Sequence, residues 1–199
     1  MKRMSVVLML TALVLAPYLR GARADTLIVS SNTFDFKQPL GVLSSAATTI
    51  QLDYNVNVYK DWLCAAFRGR TAQQSAGMSM PVDTGSSVAT AKLTVLPSVD
   101  AGLMVKLMNA TQINPYVFSL LNYTMLNSTI SYADHQSSSD ISAFGMRTGL
   151  GTNILLSTEL PTWLFNVDMG YQYLPVTVSD VGNVDINGLF VNLGFGLSF

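Results

Sequence analysis

Residues 189–199 read LFVNLGFGLSF, and their alternation is close to strict. Leu189, Val191, Leu193, Phe195, Leu197 and Phe199 share one parity. Gly188, Asn192, Gly194, Gly196 and Ser198 share the other, interrupted only by Phe190. A period of two marks an extended strand, because successive side chains leave a strand on opposite faces. One face here is large and apolar; the other is polar or nearly absent. Soluble sandwich strands alternate too, but rarely set so many large apolar residues against such small ones. Composition bears on where the apolar face goes. The chain is 49% hydrophobic and 12% charged, with a mean hydropathy of +0.35, whereas soluble domains carry about 25% charged residues. Beyond residue 20 no apolar run reaches the roughly 18 residues that a membrane-crossing helix needs. That leaves a very dry soluble core or a membrane β-barrel, whose apolar residues are interleaved with polar ones.

The N-terminus reads as a secretory address. Lys2 and Arg3 give a positive start, Val6 to Ala16 an apolar stretch of the right length, and Ala22-Arg23-Ala24 a small-x-small cleavage site. The expected division is a signal peptide over 1–24 and one barrel domain over 25–199. Removing residues 1–24 leaves 7 basic against 12 acidic residues, a net charge of −5. That balance disfavours nucleic acid, which calls for a basic face. Cys64 is the only cysteine, so neither an internal disulfide nor a cysteine-based metal cluster is expected. No cofactor is implied.

The same alternation recurs upstream. Trp163, Phe165, Val167, Met169, Tyr171 and Tyr173 oppose Asn166, Asp168, Gly170 and Gln172. Phe144, Met146, Leu150, Ile154 and Leu156 oppose Ala143, Gly145, Arg147, Gly149, Gly151 and Asn153. Leu93, Val95, Val99, Ala101, Leu103, Val105 and Leu107 oppose Lys92, Thr94, Ser98, Asp100, Gly102 and Lys106. Ile50, Leu52, Tyr54, Val56 and Val58 oppose Gln51, Asp53, Asn55 and Asn57. Residues 62–71 set Leu63, Ala65 and Phe67 against Cys64, Ala66, Arg68 and Arg70. Residues 113–126 are apolar on both faces, so their parity is not legible. A strand over 26–36, poorly alternating, is needed for an even count. Short connectors near 60–61, 109–112 and 158–162 interleave with long polar ones at 39–47, 73–91, 127–140 and 177–185. Strict short–long alternation predicts an all-β fold: an eight-stranded antiparallel up-and-down transmembrane β-barrel after a cleaved signal peptide, with tight periplasmic turns and long outer loops.

The stretches NPYVFSLLNYTML, FGMRTGLGTN, FNVDMGYQYLP and GLFVNLGFGLSF resemble the small eight-stranded outer-membrane barrels of the OmpA, OmpX and opacity-protein type. The resemblance covers residues 92–199 and implies a non-enzymatic outer-membrane protein acting in envelope integrity or surface contact. It implies partners in outer-membrane lipid and lipopolysaccharide. It also implies that the terminal Phe199 and its strand are read by the barrel-assembly machinery during insertion. The long loops are rich in Ser, Thr, Gly and Asp, so heparin-like or DNA partners are not expected, and any surface ligand stays unidentified.

An eight-stranded lumen is just wide enough for side chains to fill it, and buried charges must be paired. Parity sends Asp53, Arg68, Arg70, Asp100, Arg147 and Asp168 inward, with Lys92 and Lys106 towards the ends. A two-residue turn at Lys60-Asp61 would set Asp53 across from Arg68, and Arg147 would reach Asp168 on the next strand. A lumenal ion-pair network that plugs the barrel is expected, a narrow ion-conducting path being the alternative. Outward Trp62, Trp163 and Phe199 at one end, with Tyr123 and Tyr173 nearer the other, suit aromatic girdles at the two interfaces. His135, the only histidine, lies in YADHQSSSD. His135-Gln136-Ser137 has the His-x-Ser spacing of a lipid A deacylase, with Asp140 as the acid; this is the enzymatic alternative. Cys64 is expected inward and inert. Gly145 to Gly151 lacks the Gly-Lys-Ser/Thr ending of a phosphate loop, and its glycines suit a small inward face.

Overall fold

Every regular element among the described residues is a strand. The computed structural model describes residues 24–37, 47–60, 62–71, 80–83, 88–108, 112–132, 135–157, 159, 161–178, 182–185 and 187–199. The proposed leader, residues 1–23 at least, lies outside them. The strands are β1 (Ala24–Lys37), β2 (Ala47–Tyr59), β3 (Leu63–Arg70), β4 (Met80–Asp83), β5 (Val88–Lys106), β6 (Ile113–Tyr132), β7 (His135–Leu155), β8 (Thr162–Tyr173), β9 (Pro175–Val178), β10 (Gly182–Asp185) and β11 (Asn187–Ser198). Eight of them form a ring in the order β1-β2-β3-β5-β6-β7-β8-β11, closed by β1 against β11. All pairings are antiparallel. Closure leaves no sheet edge in the ring. The fold is thus the expected eight-stranded antiparallel barrel. Even the poorly alternating first strand is present: its inner row is Thr26, Ile28, Ser30 and Asn32.

The barrel is apolar outside. Each ring strand exposes a large apolar residue: Val29, Ile50, Phe67, Leu103, Leu121, Phe144, Met169 and Leu193. The inner rows hold the polar residues, as alternation predicts for β2, β3, β7, β8, β11 and the lower half of β5. Val56 departs from its outward parity and is buried. On β6, whose parity the sequence does not reveal, Tyr116, Phe118, Leu120, Asn122 and Thr124 face inward, while Leu121 is 72% exposed. Glycines make room for the large inward rings. A Cβ on Gly149 would lie 2.7 Å from Phe118 Cζ, and one on Gly151 2.6 Å from the Tyr116 hydroxyl. Those glycines are therefore the small inward face that the sequence suggests, matched to large residues one strand away.

Three expectations about the connections need correction. First, the β2–β3 turn is longer than two residues: Tyr59 pairs with Leu63, and the Trp62 N–H reaches Tyr59 O at 3.3 Å. Lys60 takes a φ of 44°, the left-handed region uncommon for a side chain with a Cβ, and Asp61 lies outside the described residues. A bulge between Asn57 and Tyr59 then shifts the register back, so Asp53 still pairs with Arg68. Trp62 sits in this turn rather than at the start of a strand.

Second, β5 changes face at Leu96-Pro97. Val95 pairs with Leu126 but Ser98 pairs with Thr124. Pro97 has no N–H to give to the ladder, and a bulge accommodates it. Above the bulge parity inverts: Lys92 falls opposite Thr129 and Thr94 opposite Asn127, on the outer row of β6. The inward placement of Thr94 is corrected accordingly; the side chains of Lys92, Leu93 and Val95 lie outside the described residues. Third, most of the long connector expected at 127–140 is ladder. β6 and β7 remain paired from Asn127↔Asp140 up to Tyr132↔His135. β4 pairs with the first residues of β5, and β9 with β10, so residues 73–91 and 177–185 also contain strand.

Candidate functional site

The charges converge in the lumen, in two groups stacked along the barrel axis. The group nearer the short turns centres on Arg68 of β3. Its Nη2 lies 3.0 Å from Asp168 Oδ2, and its Nε lies 3.9 Å from Asp53 Oδ1. Asp168 also accepts from the Tyr116 hydroxyl at 3.2 Å and from Asn192 Nδ2 at 2.5 Å. Asn166 donates to the Tyr116 oxygen at 2.7 Å and to Asn153 at 2.8 Å. The Arg68 guanidinium lies 4.2 Å from the centroid of the Phe118 ring, a cation–π contact that replaces part of its lost hydration.

The group nearer the long connectors centres on Asp100 of β5. Arg70 Nη2 reaches its Oδ1 at 2.9 Å and Arg147 Nη1 reaches its Oδ2 at 3.1 Å. Asn122 donates a further, short hydrogen bond to Oδ1. Arg147 Nη1 also donates to Gln51 Oε1, and Arg70 Nη1 to Gln172 Oε1, both at 3.3 Å. The Arg147 guanidinium stacks 3.7 Å from the Phe190 centroid. Phe190 is the residue that interrupts the alternation of β11, and its place over a buried cation explains the interruption.

All six charged residues expected inward are thus brought together, but with different partners. Arg147 pairs with Asp100, not with Asp168, and Arg68 lies closer to Asp168 than to Asp53. The reason is the closed ring. β3 stands four strands from β8 in either direction, and so does β2 from β7. Arg68–Asp168 and Arg147–Gln51 therefore span the lumen, a choice unavailable to a ladder-neighbour argument. Lys106 lies apart, its Nζ 3.4 Å from Asn57 Oδ1, and the Cys64 thiol donates to the same oxygen at 3.0 Å. Cys64 is fully buried, inside the barrel. Gln51, Asn122, Asn166, Asn192 and Tyr116 are the lumenal partners that charge-counting misses. Inward parity marks all of them except Tyr116 and Asn122, which sit on the illegible strand.

The aromatic residues lie on the outer surface. Trp62, Trp163 and Phe199 are exposed at the end of the barrel that carries the short turns. Tyr59 and Trp62 meet edge to face at 5.9 Å, and Trp163 stacks on Phe195 at 5.4 Å. Tyr173 is exposed at the last position of β8, and Tyr123 packs on Phe144 at 4.9 Å.

His135, Ser137 and Asp140 all lie in β7. The His135 side chain lies outside the described residues; Ser137 and Asp140 differ in parity, so the strand directs them to opposite faces. Asp140 Oδ1 accepts from Asn127 Nδ2 at 2.8 Å, beside a 3.0 Å bond from Asn127 Nδ2 to Ser138. Asp140 lies five residue steps along the strand from His135, roughly 17 Å of chain.

No family model and no curated protein matches the sequence. Solved structures do match the fold. The outer membrane protein OprG of Pseudomonas aeruginosa superposes with a TM-score of 0.58 at 16% identity, over 89% of this chain and 97% of that one. Ail, the attachment invasion locus protein of Yersinia pestis, crystallised with the heparin analogue sucrose octasulfate, gives 0.55 at 14% identity, over 89% and 99%. Neisserial surface protein A gives 0.52 at 13% identity, over 90% and 99%. The fold is that of small eight-stranded outer-membrane barrels.

Proposed function

We propose that this chain is an integral protein of a Gram-negative outer membrane, exported by the leader at 1–24, with a non-enzymatic structural or surface-contact role and a lumen closed to ions. One observation carries the reading: the barrel is inside out. Its ring of exposed Leu, Ile, Val, Phe and Met faces outward from all eight strands, while Arg68, Arg147, Asp53, Asp100 and Asp168 are buried within. A continuous apolar surface of that extent needs a nonpolar surrounding. On this reading the exposed Trp62, Trp163 and Phe199 sit at the periplasmic interface, Tyr123 and Tyr173 nearer the outer one, and lipid and lipopolysaccharide are the immediate partners. The terminal strand with Phe199 is what the barrel-assembly machinery engages.

The contents of the lumen support its closure. Six charges lie in paired clusters on a cross-section that side chains already fill, and an ion crossing it would have to separate buried pairs. The heparin analogue held by Ail has no counterpart expected here: segments 39–47, 73–91, 127–140 and 177–185 contain no Lys or Arg, which leaves a sulfated chain nothing to pair with. Fractionation and planar-bilayer recording test the reading together. The account expects recovery in the outer-membrane fraction, heat-modifiable migration on a gel, and no steady single-channel steps. Recovery in the soluble periplasmic fraction would overturn the membrane assignment, and steady conductance would overturn the closed lumen.

A further inference from the structure

The two lumenal groups are opposite in charge and in what they leave unbonded. The turn-side group sets one guanidinium, Arg68, between two carboxylates, Asp53 and Asp168. The connector-side group sets two guanidiniums, Arg70 and Arg147, on one carboxylate, Asp100. Among the described residues, buried polar atoms without a hydrogen-bond partner divide the same way. On the connector side they are Gln51 Nε2, Arg70 Nε, and Arg147 Nε and Nη2, all donors, with the Thr49 hydroxyl, which can also donate. On the turn side acceptors predominate, namely the Oδ1 atoms of Asp53, Asn55, Asn166 and Asn192, beside Nε and Nη1 of Arg68. Ser30, opposite Gln51 on β1, adds an unpartnered hydroxyl that can also donate.

Gln51 and Arg147 have no exposed surface, and the side chain of Arg70 is 9% exposed. The three side chains are tied to one another: Arg147 bonds both Gln51 and Asp100, and Arg70 bonds the other oxygen of Asp100. Buried donors without acceptors are costly, charged ones most of all. Water alone would satisfy either group equally. A surplus of donors around a net positive charge selects an acceptor that carries negative charge. We infer that the Gln51–Arg70–Arg147 group is a binding site for a small monovalent anion of the chloride class. A lumen already filled with side chains excludes anything as large as a phosphate ester. The size limit rests on the closed-lumen reading; a conducting pore would remove that limit but not the surplus of donors.

The test uses the protein purified from membranes in detergent. Chloride replaces gluconate at constant ionic strength while the urea unfolding midpoint is followed, and crystals grown in bromide are examined for anomalous scattering. The expected result is a saturable rise of the midpoint with chloride and a bromide peak between Arg147, Arg70 and Gln51. Gln51→Glu places a carboxylate on the same stem and should abolish the chloride dependence. A midpoint indifferent to chloride, an equal dependence in Gln51→Glu, or bromide crystals showing only water between these side chains would each overturn the site. If Gln51→Glu fails to fold, the bromide experiment on the unaltered protein still decides.

Discussion

The outer and inner faces of the barrel are made from the same strands, often from adjacent residues, yet they obey different rules. Leu120 and Leu121 are neighbours on β6; the first is buried against the Arg-bearing lumen and the second is 72% exposed. Outside, any large apolar residue serves, because the requirement is area against a nonpolar surrounding. Inside, a residue answers to a named partner on a strand it does not pair with, as Arg68 does to Asp168 and Arg147 to Asp100 and Phe190. The outer face is specified by pattern and the inner face by geometry.

Substitutions that trade one rule for the other should separate the two faces. The largest effect is expected at Asp100. Asp100→Asn leaves Arg70 and Arg147 buried without their carboxylate, a loss of about 3–5 kcal/mol, read as a fall in the urea midpoint of the refolded barrel. An undiminished midpoint would show that the lumen is wet enough to solvate both cations. Next comes a charge on the outer face. Leu193→Arg, midway along β11, should cost about 2–4 kcal/mol if it lies near the bilayer centre, and the same change should lower yield in the membrane fraction. Overpacking follows: Gly149→Val drives new atoms towards Phe118 and should cost about 1–3 kcal/mol. The smallest effect is expected outside, where Val117→Phe enlarges an exposed position and should stay within about 0.5 kcal/mol. Equal sensitivity at Gly149 and Val117 would erase the distinction between the faces.

This division also explains what the sequence reveals. The parity of β8 and β11 is readable because large residues alternate with Gly, Asn and Asp, and those same rows identify the inward charges. β6 is opaque because Tyr116 and Phe118 turn inward over Gly151 and Gly149 of β7, and Leu120 beside Arg147, filling space that only the assembled barrel defines. The reversal at Pro97 has a local cause, a missing N–H, but whether a proline kinks, ends or bulges a strand depends on its neighbour. Pairing is the least legible level. Asp53 across from Arg68 follows from turn length, and two opposing one-residue shifts preserve it. Arg68 nevertheless approaches Asp168 more closely, because ring closure brings β3 and β8 face to face. The polar stretch around His135 shows the converse: Ser-rich sequence with few apolar residues looks like loop, yet β6 and β7 carry their ladder through it.

In a bilayer, residues of one parity should meet lipid and those of the other the lumen. A fluorophore placed singly at positions 189–198 of β11, in protein reconstituted into bilayers containing a lipid-attached quencher, tests it directly. The account predicts a period-two profile, with strong quenching at Leu189, Val191, Leu193, Phe195 and Leu197 and little at Phe190, Asn192, Gly194 and Gly196. A flat profile, or quenching by a water-soluble agent at the odd positions, would contradict it.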